Sequence, residues 1–360
     1  MIQLPIGKPP IVGLLRWAHT LGITSAYSHT LPWFYSNFIQ LSGNRHFIEN
    51  GEEFFLDFYR GGRKEFDGNN PFLLYRKLGV DVFGMLGLRS MSAFCAEALE
   101  AGYYPDVFLD EQWIPQSHAF ESYRLPHHLL IYGYDYGKHF YCQGFDKRGI
   151  YGDYKVSFDD LDRAYSSVAE LVRTGEAGEQ GTFLFKLDPD YEYRFDRCAV
   201  IGQLKDYLRG DTEENRINRN PGKDVLGIEV YDSLLLYFDC VRREDPRLKG
   251  RADIRQLHLL WEHKKTMADR LIYMKREGHL AGADELIASS RSVARMAMTI
   301  RNLYLRDAMA QTESSPFAAA RVRNLFDLVE HHLLAMKEAE TDLIRKLIKS
   351  LEQSSGNLTA

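Results

Sequence analysis

The sequence is poor in cysteine: 360 residues contain Cys95, Cys142, Cys198 and Cys240, far apart and with no CxxC pair. That spacing excludes a zinc-cluster module and a secreted disulfide framework, and it suits a reducing compartment. No run of about 18 apolar residues occurs, and the opening MIQLPIGKPPIVGLLRWAHTLG lacks the charged region, long apolar stretch and cleavage site of an export signal. A cytoplasmic protein with no membrane partner is expected. A formal charge of -5, with no basic stripe carrying interleaved aromatics, gives no attraction to nucleic acid. The glycine-rich dinucleotide fingerprint and the P-loop pattern are both missing, so nucleotide-dependent activation is not built in. His19, His29 and His46 with Glu49 have no metal-ligand spacing. Neither a metal nor a cofactor is expected.

The remainder describes a folded chain, since 45% hydrophobic and 26% charged residues are ordinary globular values. The length is too great for one core of about 100 to 200 residues, so two domains are expected. The 21 Tyr, 21 Phe and 4 Trp crowd into the first part of the chain, where flat side chains suit a core or a groove.

Between Tyr103 and Phe185 the runs YYPDVFLD, HHLLIYGYD, HFYCQGFD and GTFLFKL read as strands. The middle two form a hairpin about DYGK (Asp135 to Lys138), whose glycine can supply the positive φ of a tight turn. VSFDDLDRAYSSVAELVR reads as a helix capped by Ser157 or Asp159, with Leu161, Ala164, Tyr165, Val168 and Leu171 on one face. Strands, a helix and one more strand favour an antiparallel α+β sheet. Beyond residue 224, apolar residues recur at three and four from Ile254 to Met274, again over Ala283 to Met309, and after Pro316 to about Leu351. These helices predict a bundle. The polar stretch GDTEENRINRNPGK divides the two parts, giving an α+β domain over 1–209, a linker over 210–223 and an all-α domain over 224–355.

Strand alternation puts His127, Leu129 and Ile131 on one sheet face and His128 and Leu130 on the other. A tight hairpin would return Asp146 beside the start of the first strand, where a carboxylate can fix the tautomer of an imidazole and leave its other nitrogen free to take a proton. His127 and Asp146 are thus a candidate base and its orienting acid.

Residues 103 to 165, with VFLDEQWIP, HHLLIYGYD and FYCQGFDKRGIYGDYKVSFDDLDRAY, resemble the butirosin-biosynthesis acyltransferase (BtrH-like) family of antibiotic and nonribosomal peptide pathways. Residues 225 to 305, with YDSLLLYF, LLWEHKKTMADRLIYM and RNLYL, are similar to the helical domain that accompanies many such proteins. The resemblance implies a papain-like fold with a Cys-His-Asp triad. It selects His127 over His128, because His127 stands six residues before Gly133, and it matches Asp146 to the family's acid. The family's nucleophilic cysteine, usually followed by His at the start of the central helix, corresponds to Ala18 in RWAHTLGI. Three explanations stay open: a natural cysteine replaced, a branch that lost cysteine chemistry, or a shifted match with Ser25 or Ser28 serving instead.

The resemblance implies an ATP-independent acyl, aminoacyl or peptidyl transferase, taking its group from an acyl- or peptidyl-carrier thioester to an amine. Hydrolysis by the same site, and a non-catalytic protein that binds the carrier or a peptide intermediate, are the alternatives. Candidate substrate contacts are Trp17 and His19 beside Ala18, Trp33 and Asn37 in LPWFYSNFIQL, and Asp110 and Glu111 before the His127 strand. A homodimer is among the open oligomeric states.

Overall fold

The structure, a computed structural model, describes residues 1–59, 70–85, 90–212, 224–248, 253–310 and 318–356. It is a mixed α+β protein whose chain divides into two compact units. One is made by Met1–Thr30 and Arg63–Glu192, the other by Leu31–Gly62 and Tyr193–Ala360.

The first unit is built on a seven-stranded antiparallel sheet. Its strands are β1 (Ile2–Gln3), β4 (Leu73–Leu78), β5 (Tyr104–Asp110), β6 (Pro126–Tyr134), β7 (His139–Phe145), β8 (Tyr151–Ser157) and β9 (Thr182–Leu187). They lie in the order β4-β9-β5-β6-β7-β8, and β1 joins β6 where β5 has ended. Gly133 permits that junction. A Cβ there would stand 2.6 Å from the Ile2 carbonyl oxygen, so only glycine lets the two backbones approach.

Alternation sorts the side chains onto two faces. Leu129 and Ile131 join Val107, Leu109, Phe140 and Val156 in a core closed by helices α4 (Val80–Met85), α5 (Met91–Glu100) and α6 (Phe158–Arg173), through Phe83, Cys95, Leu99, Leu161 and Ala164. Leu130 and Tyr132 point the other way, into a cluster with Tyr104, Phe183, Phe185 and Ile23 of α1 (Leu15–Thr24). Ser157 caps α6 by accepting from the Asp160 amide, as expected. In the β6–β7 turn the positive φ falls on Lys138, at 60°, and not on the glycine of DYGK.

In the second unit β2 (Leu41–Asn44) pairs antiparallel with β3 (Leu56–Phe58) and β10 (Asp224–Leu226). Around this small sheet are the short helices α2 (Leu31–Ser36) and α3 (Phe47–Asn50) and the long α7 (Arg197–Arg209), α8 (Val230–Arg242), α9 (Ile254–Arg276), α10 (Asp284–Ala310) and α11 (Ala318–Gly356). The three periodic segments read from sequence are α9, α10 and α11, and α10 packs on both others. Glu340 of α11 collects Lys264 Nζ of α9 at 2.7 Å with the hydroxyls of Tyr207 (α7) and Tyr231 (α8) at 3.0 and 2.9 Å. A buried pair with all its hydrogen bonds made specifies how helices meet more than it stabilises them.

The division differs from the sequence expectation. It falls at Glu192/Tyr193, and Leu31–Gly62 belongs with the helical part. The cause is local to that unit: β2 takes β10 as a neighbour, and the buried guanidinium of Arg270 donates to the carbonyls of Tyr35, Asn37 and Phe38. Residues 213–223 of the expected linker lie outside the described residues.

Candidate functional site

Helix α1 carries the position matched to the nucleophile. Ala18 is the fourth residue of the helix, fully buried, and its amide donates to the Leu14 carbonyl. It therefore stands at the end of the first helical turn, past the N-terminal amides that face an anion in such helices. Trp17 beside it is also fully buried. His19 faces the sheet, with Nδ1 3.1 Å from Asp106 Oδ1. His128 brings its Nδ1 to 3.5 Å from the same oxygen. Asp106 lies in a cross-strand row with Leu130, Gln143 and Asp153, and the Gln143 amide donates to Asp153 at 3.0 Å. Burial pushes the Asp106 carboxyl up, but the attraction of His19 and then His128, with hydrogen bonds from both, outweighs it and leaves the group below the usual carboxylate range. His19 and Asp106 have no exposed side-chain surface and His128 has 2%. The cluster is sealed.

On the opposite face His127 is 39% exposed, and its Nδ1 lies 2.8 Å from Oε1 of the buried Glu111. Glu111 Oε2 accepts from the Ser117 hydroxyl at 2.6 Å, and that hydroxyl oxygen accepts from the Ala119 amide. A carboxylate can only accept, so the His127 Nδ1 carries the proton and Nε2 is left as the acceptor. Tyr154, partly buried against the same core, has its hydroxyl pKa pushed up by burial and then by neighbouring groups that include Glu111 and Asp146. Gly144 makes room for it, since a Cβ there would come within 2.5 Å of the Tyr154 hydroxyl.

The pairing of His127 with Asp146 is corrected. Asp146 instead clasps its own turn, accepting from the amides of Arg148 and Ile150 at 2.9 Å each and from the Arg148 guanidinium. The Ile150 amide does most to hold its carboxyl below the usual range, helped by Arg148. The β6–β7 ladder ends at Leu130 and Gln143, short of His127, whereas the β5–β6 ladder continues through Leu109 and His127 and delivers Glu111. The expected facing of Ala18 and His127 is corrected too. α1 packs on the face of His128, Leu130 and Tyr132, and His127 shares the other face with Leu129 and Ile131.

Asp110, Trp33 and Asn37 are engaged in packing and local hydrogen bonds. Asp110, fully buried, accepts from the amides of Gln112 and Leu125 and from the Ser167 hydroxyl, pinning the strand end to α6. In the second unit Trp33 is 2% exposed and edge-on to Phe38, and Asn37 donates to the Trp33 carbonyl. Burial pushes the thiols of Cys95, Cys142 and Cys240 up, away from the reactive thiolate, and Cys198 is exposed on α7. Ser25 donates to the Gly22 carbonyl, and Ser28 is exposed in a short 3-10 turn. Among the described residues no group of three or more His, Cys, Asp or Glu is placed to hold a metal, and no helix is long and apolar enough to cross a membrane.

Compared with known proteins, the chain matches no protein-family model and no curated protein.

Proposed function

We propose that the chain is a papain-like, butirosin-acyltransferase-type protein that binds an acyl- or peptidyl-carrier thioester in a natural-product pathway without forming an acyl-enzyme. One observation carries the reading. The position matched to the nucleophile is Ala18, fully buried within α1, and the histidines on that side, His19 and His128, are committed to Asp106. Covalent acyl transfer needs a nucleophile beside an available base; the methyl of Ala18 cannot serve, and the cysteine thiols Cys95 and Cys142 of the same unit are buried with raised pKa values. The thioester itself holds the energy for any later transfer, so neither nucleotide nor cofactor enters.

The test is incubation of the purified chain with an acyl-carrier thioester, read by intact mass and by titration calorimetry. Saturable binding with an unchanged chain mass is expected. A mass increase equal to the acyl group would contradict the reading, because only a nucleophile retains that group.

A further inference from the structure

We propose that His127 is the general base of a hydrolytic site on the α6 side of the sheet, that Glu111 is its positioning residue, and that the substrate is a carboxylic ester or thioester with a good leaving group. This inference stands apart from carrier binding, which is read by complex formation.

The geometry separates His127 from the other exposed histidines of the unit. Its ring is half in solvent while its partner carboxylate is 6% exposed and fixed from behind by Ser117. His139 offers the contrast: it is 48% exposed and 3.7 Å from Asp135, a carboxylate that is 21% exposed and shared with Lys155. A carboxylate whose other oxygen is held by Ser117 keeps the His127 ring in one tautomer and one orientation, and leaves Nε2 as the proton acceptor of a ring that is 39% exposed. Among the described residues no hydrogen bond engages Nε2.

The class of substrate follows from the groups at hand. An oriented imidazole can take a proton from water as the water oxygen bonds to a carbonyl carbon. The carbon–oxygen or carbon–sulfur bond then breaks, and the departing alkoxide or thiolate takes the same proton back from Nε2, so that ester and water become acid and alcohol or thiol. No oxidant and no second nucleophile is required. Amides are a poorer match, because their amine must be protonated before it can leave.

The test measures hydrolysis of p-nitrophenyl acetate and of an acetyl thioester of N-acetylcysteamine by the full chain. His127→Ala is expected to lower kcat/KM about 100-fold, with partial recovery on adding free imidazole, and His127→Gln should match it. Glu111→Gln should lower kcat about tenfold at unchanged KM, while Glu111→Asp keeps most of the rate. His139→Ala should leave the rate as it was. Wild-type rates in both His127 variants, or a wild-type rate no greater than an equal concentration of free imidazole gives, would overturn the assignment. Loss of activity in Glu111→Gln and Glu111→Asp alike, with KM rising, would overturn the positioning role.

Discussion

His127 and His128 are neighbours in sequence, and each meets a carboxylate supplied by β5 or the turn that follows it. His128 and His19 share Asp106 in an interior from which water is excluded, whereas His127 shares Glu111 with Ser117 and keeps part of its ring in solvent. The same residue types thus give an internal fastening on one face and an accessible base on the other. What separates them is the period of two along a strand, which turns adjacent side chains to opposite faces. Chemistry at a sheet depends on where the covering helices leave an edge open. Here α1 closes the His128 side and α5 and α6 close the core on the other face, but His127 stands at the start of β6, beyond the end of the β7 ladder, with 39% of its side chain exposed.

The largest effect should come from the sealed cluster. Asp106→Ala removes the anion between two buried imidazoles, and breaking such a pair from one side costs about 3–5 kcal/mol, read as a lower urea midpoint. The same carboxyl sets a pH dependence. Its pKa is lower folded than unfolded, so its contribution is complete above the unfolded value of about 3.9 and is lost as pH falls through the lower folded value. Wild-type stability should therefore fall more steeply below about pH 4 than that of Asp106→Ala. Parallel curves would show that Asp106 is not held by the imidazoles.

A smaller effect distinguishes the two neighbours. His128→Ala leaves Asp106 with one partner and a void among Phe108 and Phe183, and should cost about 2 kcal/mol. His127→Ala removes a half-exposed ring and should change stability by less than about 0.5 kcal/mol. Equal losses from the two variants, measured by urea denaturation, would erase the comparison.

Much of this was legible in the sequence. Alternation in HHLLIYGYD placed the two histidines on opposite faces, Ser157 was one of the two cap candidates read for the helix that follows, and the periodicity beyond residue 253 marked the three long helices. The partner of His127 was not legible. Strand order and register look the same in sequence whether a hairpin stays zipped to its ends or opens at Leu130 and Gln143, and that opening decides between Asp146 and Glu111. Asp106 was missed although it stands mid-strand in YPDVFLD, where a charged residue inside an apolar run signals a buried partner. The membership of Leu31–Gly62 was hidden for another reason. Its contacts with β10 and Arg270 span more than 150 residues of chain, and no local pattern records them.

The most direct test of the two-face account is reaction of the native chain with diethyl pyrocarbonate, followed by peptide mapping of each histidine over time. Modification needs an unprotonated, accessible ring nitrogen. The account predicts that His127 reacts while His19 and His128 stay unmodified until the protein is unfolded. Early modification of His19 or His128 together with a protected His127 would contradict it and return the functional site to the α1 side of the sheet.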